Sequence, residues 1–155
     1  MEPVQWLADD EQQDWRALQF MTMRLDAALA RQMAEDSDLS LPDYGVLVAL
    51  TDQPDGRMRL FELACLLGWE KSRLSHHIAR MAARELLTKE RCDSDRRGAY
   101  VVVTDHGRQR LVDAAPGHVA AVRRLVIDVL TTEQRAALGD AARTVLAALD
   151  AGRED

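Results

Sequence analysis

The chain has 155 residues, of which 47% are hydrophobic, 30% are charged and only 5% are aromatic, and its formal net charge is −6. This length fits one domain with a substantial core, and the many Ala and Leu residues favour helices. No apolar run approaches the roughly 20 residues of a membrane-spanning helix, and the N-terminus lacks the basic and apolar regions of a signal peptide. We therefore expect a cytoplasmic protein without a membrane partner.

The charge is distributed unevenly along the chain. Between Lys71 and Arg110, ten Lys and Arg residues stand against five acidic residues, whereas residues 1–40 carry a net charge of −6. A basic segment inside an acidic protein is typical of a localised polyanion-binding surface. Residues 71–110 are therefore the first candidate for a nucleic-acid interface.

The first part of the chain predicts two helices. Residues 9–35 have apolar side chains at three- and four-residue spacing and acidic residues in the first turn, which predicts one long helix. Its apolar stripe needs other helices to pack against, and those of a second subunit are one source. Ser40 and Pro42 suit the cap and first turn of a second helix that runs to about Thr51. A turn at 53–56 and a short extended segment at 57–60 follow.

Two short helices joined by a tight turn come next. Leu60–Leu67 has one apolar face and Gly68 ends it, and the stretch 68–85 predicts the second helix. These two helices are typical of a helix-turn-helix. On the second helix, one side is expected to be buried, and it carries Leu74, Ile78, Met81 and Glu85.

The opposite side of the second helix is small, hydroxylic and cationic. Its residues are Ser72, His76, Ala79, Arg80 and Ala83, with Arg73 near them and Ser75 and His77 on the flanks. Such a face suits the major groove of DNA, which admits a helix and offers base-edge acceptors. A surface helix with scattered charges is the alternative interpretation.

A β-hairpin is predicted directly after this helix. Residues 86–92 form its first strand, 93–98 a polar turn, and 99–104 the clearest strand of the chain, because it is β-branched and aromatic. A helix-turn-helix followed by such a hairpin is a winged helix. Arg96 and Arg97 at its tip suit a narrow minor groove, and a solvated hairpin tip is the alternative.

The last part of the chain predicts two more helices. Residues 104–107 begin a helix that continues to about Leu130, and Pro116–Gly117 is expected to interrupt and bend it. Thr131 and Gln134 fit the capping box of a final helix. The first and last helices carry more apolar stripe than a small winged helix buries, which predicts a two-fold dimer.

These elements, in this order, resemble the MarR family of bacterial winged helix-turn-helix transcription regulators over nearly the whole chain. The most specific likeness is Asp95-Arg-Arg-Gly98 followed by Val101-Val-Val-Thr104, which is similar to the wing signature of the family, with Val103 in place of the usual Leu. The segments 60–64, 67–68 and 72–75 resemble the helix-turn-helix of the family, and 130–134 resembles the start of its final helix.

The resemblance implies a single domain over residues 1–155 that is mainly α with a small β-hairpin wing. In that fold the winged helix-turn-helix spans residues 40–104, and dimerisation helices come from both termini, residues 1–36 and 105–155. The resemblance further implies a homodimer on double-stranded DNA, with one recognition helix in each of two successive major grooves of a pseudo-palindromic operator. The function would be that of a transcriptional regulator, with a repressor as the first expectation and an activator as the alternative.

The resemblance also assigns roles to individual residues. It implies that Arg97 enters the minor groove and that Asp95 orients it through an ion pair. The residues expected to contact DNA are Lys71, Ser72, Arg73, Ser75, His76, His77, Arg80, Arg96 and Arg97. Members of the family often respond to a small aromatic ligand, and the candidates for binding such an effector are Trp15, Arg24, Tyr44 and Trp69. Packing of these aromatic side chains in the core is the alternative.

Other classes of function fit the sequence less well. No phosphate-binding loop, catalytic-triad spacing or paired metal motif is present, which argues against an enzyme and against a cofactor. His76 and His77 are adjacent, so on a helix they point about 100° apart and do not share a metal ion. Two alternatives stay open: a redox-sensing regulator that uses Cys65 or Cys92, and a winged helix that contacts only proteins.

Overall fold

The computed structural model describes residues 3–91 and 98–152, and the chain forms two compact units, Met1–His118 and Val119–Asp155. In chain order, the elements are α1 (Asp9–Asp36), α2 (Leu41–Thr51), β1 (Arg57–Arg59), α3 (Leu60–Leu67), α4 (Lys71–Ala83), β2 (Leu87–Arg91), β3 (Ala99–Val103), α5 (Asp105–Val122), a π-helical segment (Arg123–Ile127) and α6 (Thr132–Ala151). This arrangement confirms the predicted fold class, mainly α with a small antiparallel sheet. Among the helices described, none combines the length and the apolarity needed to cross a bilayer.

Two helices begin at the caps that the sequence predicts. At the start of α2, the Asp43 N–H donates to Ser40 Oγ over 3.1 Å, and the Ser40 N–H donates to Asp43 Oδ2 over 3.0 Å. At the start of α6, Thr131 and Gln134 exchange the same two bonds over 3.0 and 3.2 Å. Each box satisfies N–H groups that a helix terminus leaves without partners.

The sheet has three antiparallel strands in the order β1–β3–β2. The sequence predicts the β2–β3 hairpin, and the extended segment at 57–59 joins it as a third strand, with Arg57 opposite Val102. Gly56 adopts φ of +67° before this strand, and its C=O group accepts from the Val103 N–H over 3.0 Å. The predictions for Cys92, Asp95, Arg96 and Arg97 lie outside the described residues.

The core of the first unit lies where α2, α3, α4 and the sheet meet. It is built from large aliphatic side chains with almost no exposure: Leu47, Leu50, Leu63, Leu74, Ile78, Met81, Leu86, Leu87 and Val101. The C-terminal end of α1 adds Met33, and α5 adds Ala114. The sheet and the helix-turn-helix therefore share one core, and burial of this apolar surface fixes the orientation of α4.

The prediction that Pro116–Gly117 interrupts the fifth helix is wrong. Helix α5 continues through both residues to Val122, and the departure from α-helical geometry comes later, in the π-helical segment. Pro116 removes one N–H group from the helix. Both Pro116 and Val112, whose C=O group loses that partner, are exposed, so water can satisfy the carbonyl.

Helix α5 begins in close contact with the turn between α4 and β2. Thr104 Oγ1 donates to the Glu85 C=O group over 2.6 Å and accepts from the Gly107 N–H over 2.9 Å. A Cβ atom at Gly107 would lie only 2.0 Å from the Leu86 carbonyl oxygen. Glycine is therefore the residue that allows α5 to approach the wing so closely.

Candidate nucleic-acid interface

A glycine turn connects the two helices of the helix-turn-helix. Gly68 has φ of +64°, a left-handed conformation that L side chains rarely adopt. The N–H groups of Gly68 and Trp69 donate to the C=O groups of Cys65 and Ala64 over 3.2 and 3.0 Å. These bonds end α3 in the manner of a glycine C-cap, and the chain turns sharply into α4.

Helix α4 has one fully buried side and one exposed, cationic side. Leu74, Ile78 and Met81 have no exposed surface, which confirms the predicted inner face. Glu85 does not belong to that face, because α4 ends at Ala83 and Glu85 lies exposed in the following turn with φ of +60°. Of the predicted DNA contacts, the structure places on the outer side of α4 the exposed residues Lys71, Ser72, Arg73, His76 and Arg80, with Ser75 half-buried.

His77 lies on the inner side of the helix, although the sequence assigns it to a flank facing DNA. It is only 8% exposed. Its ring meets the ring of Trp69 edge-on, with 5.2 Å between the centroids, and its Nε2 lies 2.9 Å from Asp43 Oδ1. His77 Nε2 has no hydrogen-bond partner within the described residues, so we describe its contact with Asp43 as electrostatic. The His77 ring therefore supports α4 from within and is not presented to a groove.

Trp69 lies in the turn before α4 and contacts two side chains of that helix. The Arg73 guanidinium carbon lies 4.3 Å from the centroid of the Trp69 ring, which is a cation–π contact. Trp69 is thus placed between Arg73 and His77. The sequence assigns this tryptophan to an effector cleft, whereas its observed contacts are with α4.

Asp43 connects α4 to the start of α2. Its carboxylate is 3% exposed and accepts from the Arg84 guanidinium over 2.7 Å, in addition to the Ser40 N–H. Burial alone would raise the pKa of Asp43, but the bonds from Ser40 and Arg84 together hold it below its usual value. Asp43 is therefore an anion fixed inside the protein, close to α4.

A second ion pair, between Asp38 and Arg110, joins this site to α5. Arg84 also donates to the Asp38 C=O group over 2.6 Å. The Asp38 carboxylate accepts from Arg110 of α5, and this bond holds the pKa of Asp38 below its usual value. Asp38, Asp43 and Arg84 are functional candidates that the sequence interpretation missed, because no local pattern pairs residues so distant along the chain.

The four predicted effector-binding residues lie in different surroundings. The Tyr44 ring of α2 packs against the His118 ring of α5, with 4.4 Å between the centroids. Nearby on α5, Gly117 lies against the Gln32 side chain of α1. Trp15, which is 50% exposed, and Arg24 lie on the exposed part of α1. Core packing therefore does not account for Trp15.

Two buried polar side-chain atoms, one on α1 and one on α5, have no hydrogen-bond partner within the described residues. They are Gln32 Oε1 and His118 Nδ1. Burial also lowers the pKa of His118, so its ring is neutral at physiological pH. Residues 3–91 and 98–152 contain no group of three or more side chains suited to hold a metal ion. Cys65 is half-buried, on α3.

Comparison with known proteins shows similarity to one family of regulators. Residues 37–98 match the profile of the MarR family. The transcriptional regulator HosA of Escherichia coli O111:H- is 34% identical over 88 residues, which are 56% of this chain and 63% of HosA. The match to this curated relative therefore spans less than two thirds of its length.

Two solved structures are similar over almost the whole chain. AbsC, a MarR family transcriptional regulator from Streptomyces coelicolor, has a TM-score of 0.86 and 38% identity, and the match covers 96% of this chain and 99% of AbsC. Sco3205, a MarR family regulator from the same organism whose structure is in complex with DNA, has a TM-score of 0.86 and 40% identity, with coverage of 92% and 90%. Together with the winged helix-turn-helix described above, these likenesses show that the chain belongs to the MarR family of transcriptional regulators.

Proposed function

We propose that this protein is a homodimeric repressor that binds a pseudo-palindromic operator through α4 and the wing. The observation that carries this proposal is the division of α4 into a fully buried apolar side and an exposed side with Lys71, Arg73 and Arg80. Exposed cations and hydroxyls on a rigidly packed helix suit phosphates and base edges in a major groove. The complex of Sco3205 with DNA supports the same partner for this chain.

The homodimer is proposed from apolar side chains that the chain leaves exposed on two helices. Helix α1 exposes Trp15, Leu18 and Met21 by 43–50%, and α6 exposes Val145, Leu146 and Leu149 by 56–60%. Stripes of this kind at helical spacing are typical of an interface rather than of a monomer surface. A two-fold dimer would present two copies of α4 to a DNA duplex. The assignment of residues 1–36 and 105–155 to dimerisation is part of this proposal.

The contribution of α4 is tested by Arg73→Ala. We expect operator binding to weaken by about 1–2 kcal/mol, because the variant loses a cation that Trp69 holds at the surface. Arg143→Ala, which removes an exposed arginine of α6, is the matched control and should change affinity less than about two-fold. Fluorescence anisotropy with a labelled operator measures both. Equal affinities for the two variants would remove Arg73 from the interface.

The wing is tested in the same assay by Arg97→Ala, a prediction that rests on the sequence alone. The expected loss is about 1–3 kcal/mol, with the dimer intact. A folded variant with wild-type affinity would remove the wing arginine from the mechanism.

We also propose that a small aromatic effector regulates the binding of this protein to its operator. BpsR of Bordetella bronchiseptica, which is 25% identical with a TM-score of 0.74, is regulated in its DNA binding by 6-hydroxynicotinic acid. In this chain, the Tyr44 ring and the unpaired atoms of Gln32 and His118 offer a stacking surface and hydrogen bonds. We expect aromatic carboxylic acids, with 6-hydroxynicotinic acid as the first probe, to weaken operator binding.

The effector proposal is tested by titrating these acids against the protein–operator complex. Tyr44→Ala should abolish the release, whereas Arg24→Ala, at another candidate residue, should leave it intact because the proposed site lies beside His118. An unchanged affinity at millimolar concentrations of every acid would contradict an aromatic carboxylate effector.

A further inference from the structure

Three side chains form a continuous polar path from the start of α2 to the exposed side of α4. An Arg80 guanidinium nitrogen lies 3.0 Å from His77 Nδ1, and His77 Nε2 lies 2.9 Å from Asp43 Oδ1. His77 and Asp43 are buried, whereas Arg80 is exposed. The path therefore connects a fixed interior anion to a cation on the surface that would face DNA.

The contact with Arg80 determines which ring nitrogen of a neutral His77 carries the proton. A guanidinium only donates hydrogen bonds, so Nδ1 must accept, and the proton of a neutral ring must then lie on Nε2, facing the Asp43 carboxylate. The ring thus accepts on one side and presents its N–H group to an anion on the other. Asp43 itself is held by Ser40 and Arg84, which gives the path a rigid origin.

We propose that Asp43 and His77 are a positioning pair that holds the Arg80 guanidinium in the orientation used to bind the operator. This inference rests on the proposed function. A free arginine loses several rotatable degrees of freedom on binding, and a side chain held beforehand loses fewer. The bond to His77 uses one N–H donor of a group that has several, so Arg80 can still bond to a phosphate or a guanine.

The pair also makes the position of Arg80 dependent on pH. Burial holds the pKa of His77 below its usual 6.5, with Arg80 and Arg73 acting in the same direction and the Asp43 carboxylate opposing them. The Trp69 ring edge, which carries no charge, covers another side. Protonation would place an N–H group at Nδ1 against the donors of Arg80 and break the bond. The contribution of Arg80 to affinity is therefore present near neutral pH and lost as the pH falls through the pKa of His77.

Two substitutions of His77 separate its two contacts. His77→Asn keeps an acceptor near the position of Nδ1 but does not reach Asp43, whereas His77→Gln keeps a donor toward Asp43 and loses the acceptor for Arg80. We expect His77→Gln to weaken operator binding about ten-fold, and His77→Asn, which keeps the acceptor but loses the support of Asp43, to weaken it less, by about three-fold. Thermal unfolding of each variant checks that both are folded.

A double-substitution cycle with Arg80→Ala isolates the positioning role. If His77 acts through Arg80, His77→Gln costs almost nothing in the Arg80→Ala background. As the pH falls through the pKa of His77, wild-type affinity should decline relative to the His77→Gln variant, which has no acceptor at the position of Nδ1. His76→Gln in both backgrounds removes the other histidine of α4 from the comparison.

The outcomes distinguish this inference from the proposed function. A wild-type protein that binds no specific operator would overturn both. A wild-type protein that binds its operator, with additive effects of His77→Gln and Arg80→Ala, would overturn only the positioning role. A gain of affinity in His77→Gln would also overturn it, because His77 would then be withholding Arg80 from DNA.

Discussion

Replacement of Leu146 by glutamate is expected to convert the dimer into a monomer and to weaken operator binding by at least about 100-fold. Leu146 is 58% exposed and shares one side of α6 with Val145 and Leu149. A two-fold interface carries each substitution twice, so two unpaired carboxylates would enter an apolar contact. A monomer binds only one half-site, so it loses the additional affinity that a dimer gains by binding both half-sites at once.

Analytical ultracentrifugation gives the oligomeric state, and anisotropy with a full operator and a half-site gives the affinity. Ala147→Glu introduces the same charge on the opposite side of α6, where Ala147 is also exposed, and should leave both quantities unchanged. A Leu146→Glu protein that sediments as a dimer with wild-type affinity would show that the α6 stripe is not the interface.

Arg84→Ala is expected to lower the free energy of unfolding by about 2–3 kcal/mol, a large loss for a side chain that is 40% exposed. The reason is Asp43, which is 3% exposed and has the Arg84 guanidinium at 2.7 Å. Without Arg84 the buried carboxylate loses its only cationic hydrogen-bond donor in the described part of the chain. The expected loss is below that of a fully buried pair because water already screens Arg84.

The contribution of Asp43 to the free energy of unfolding depends on pH. The pKa of Asp43 lies below its usual 3.8 in the folded protein, so its stabilisation is present above pH 3.8 and is lost as the pH falls through the folded-state pKa. In Arg84→Ala that pKa rises, and the loss begins at a higher pH. Urea unfolding at several pH values measures this. The control is Arg84→Ala in an Asp43→Asn background, where the cost should be smaller. Equal stability of Arg84→Ala and wild type would contradict the anchoring role of Asp43.

The sequence predicts those parts of the fold that depend on neighbouring residues. The cap of α2 at Ser40, the glycine after α3, and the apolar spacing of Leu74, Ile78 and Met81 are local signals, and the structure confirms each of them. Such signals act within one or two helical turns. They therefore define the helix-turn-helix and the side of α4 that faces outward.

The parts that the sequence does not predict depend on contacts between distant residues. Asp43 and Arg84 are 41 residues apart, and neither has a local feature that identifies the other. A polar His77 near the edge of a helical face is expected at the surface, yet its burial becomes favourable once Asp43 and Trp69 surround it. Helix α5 also continues through Pro116, because the carbonyl group that loses its partner there is exposed to water. The low helix propensity of proline does not take such exposure into account.

Specific recognition of DNA by a dimer is the central claim, and selection of duplexes from a random pool by the purified protein tests it most directly. We expect enrichment of an inverted repeat with half-sites about one helical turn apart. Titration of the selected duplex at two salt concentrations should show affinity falling about ten-fold or more per doubling of salt, because several phosphates are neutralised. A pool without an enriched motif, bound only weakly and in a salt-sensitive manner, would contradict the account and favour a winged helix that contacts proteins.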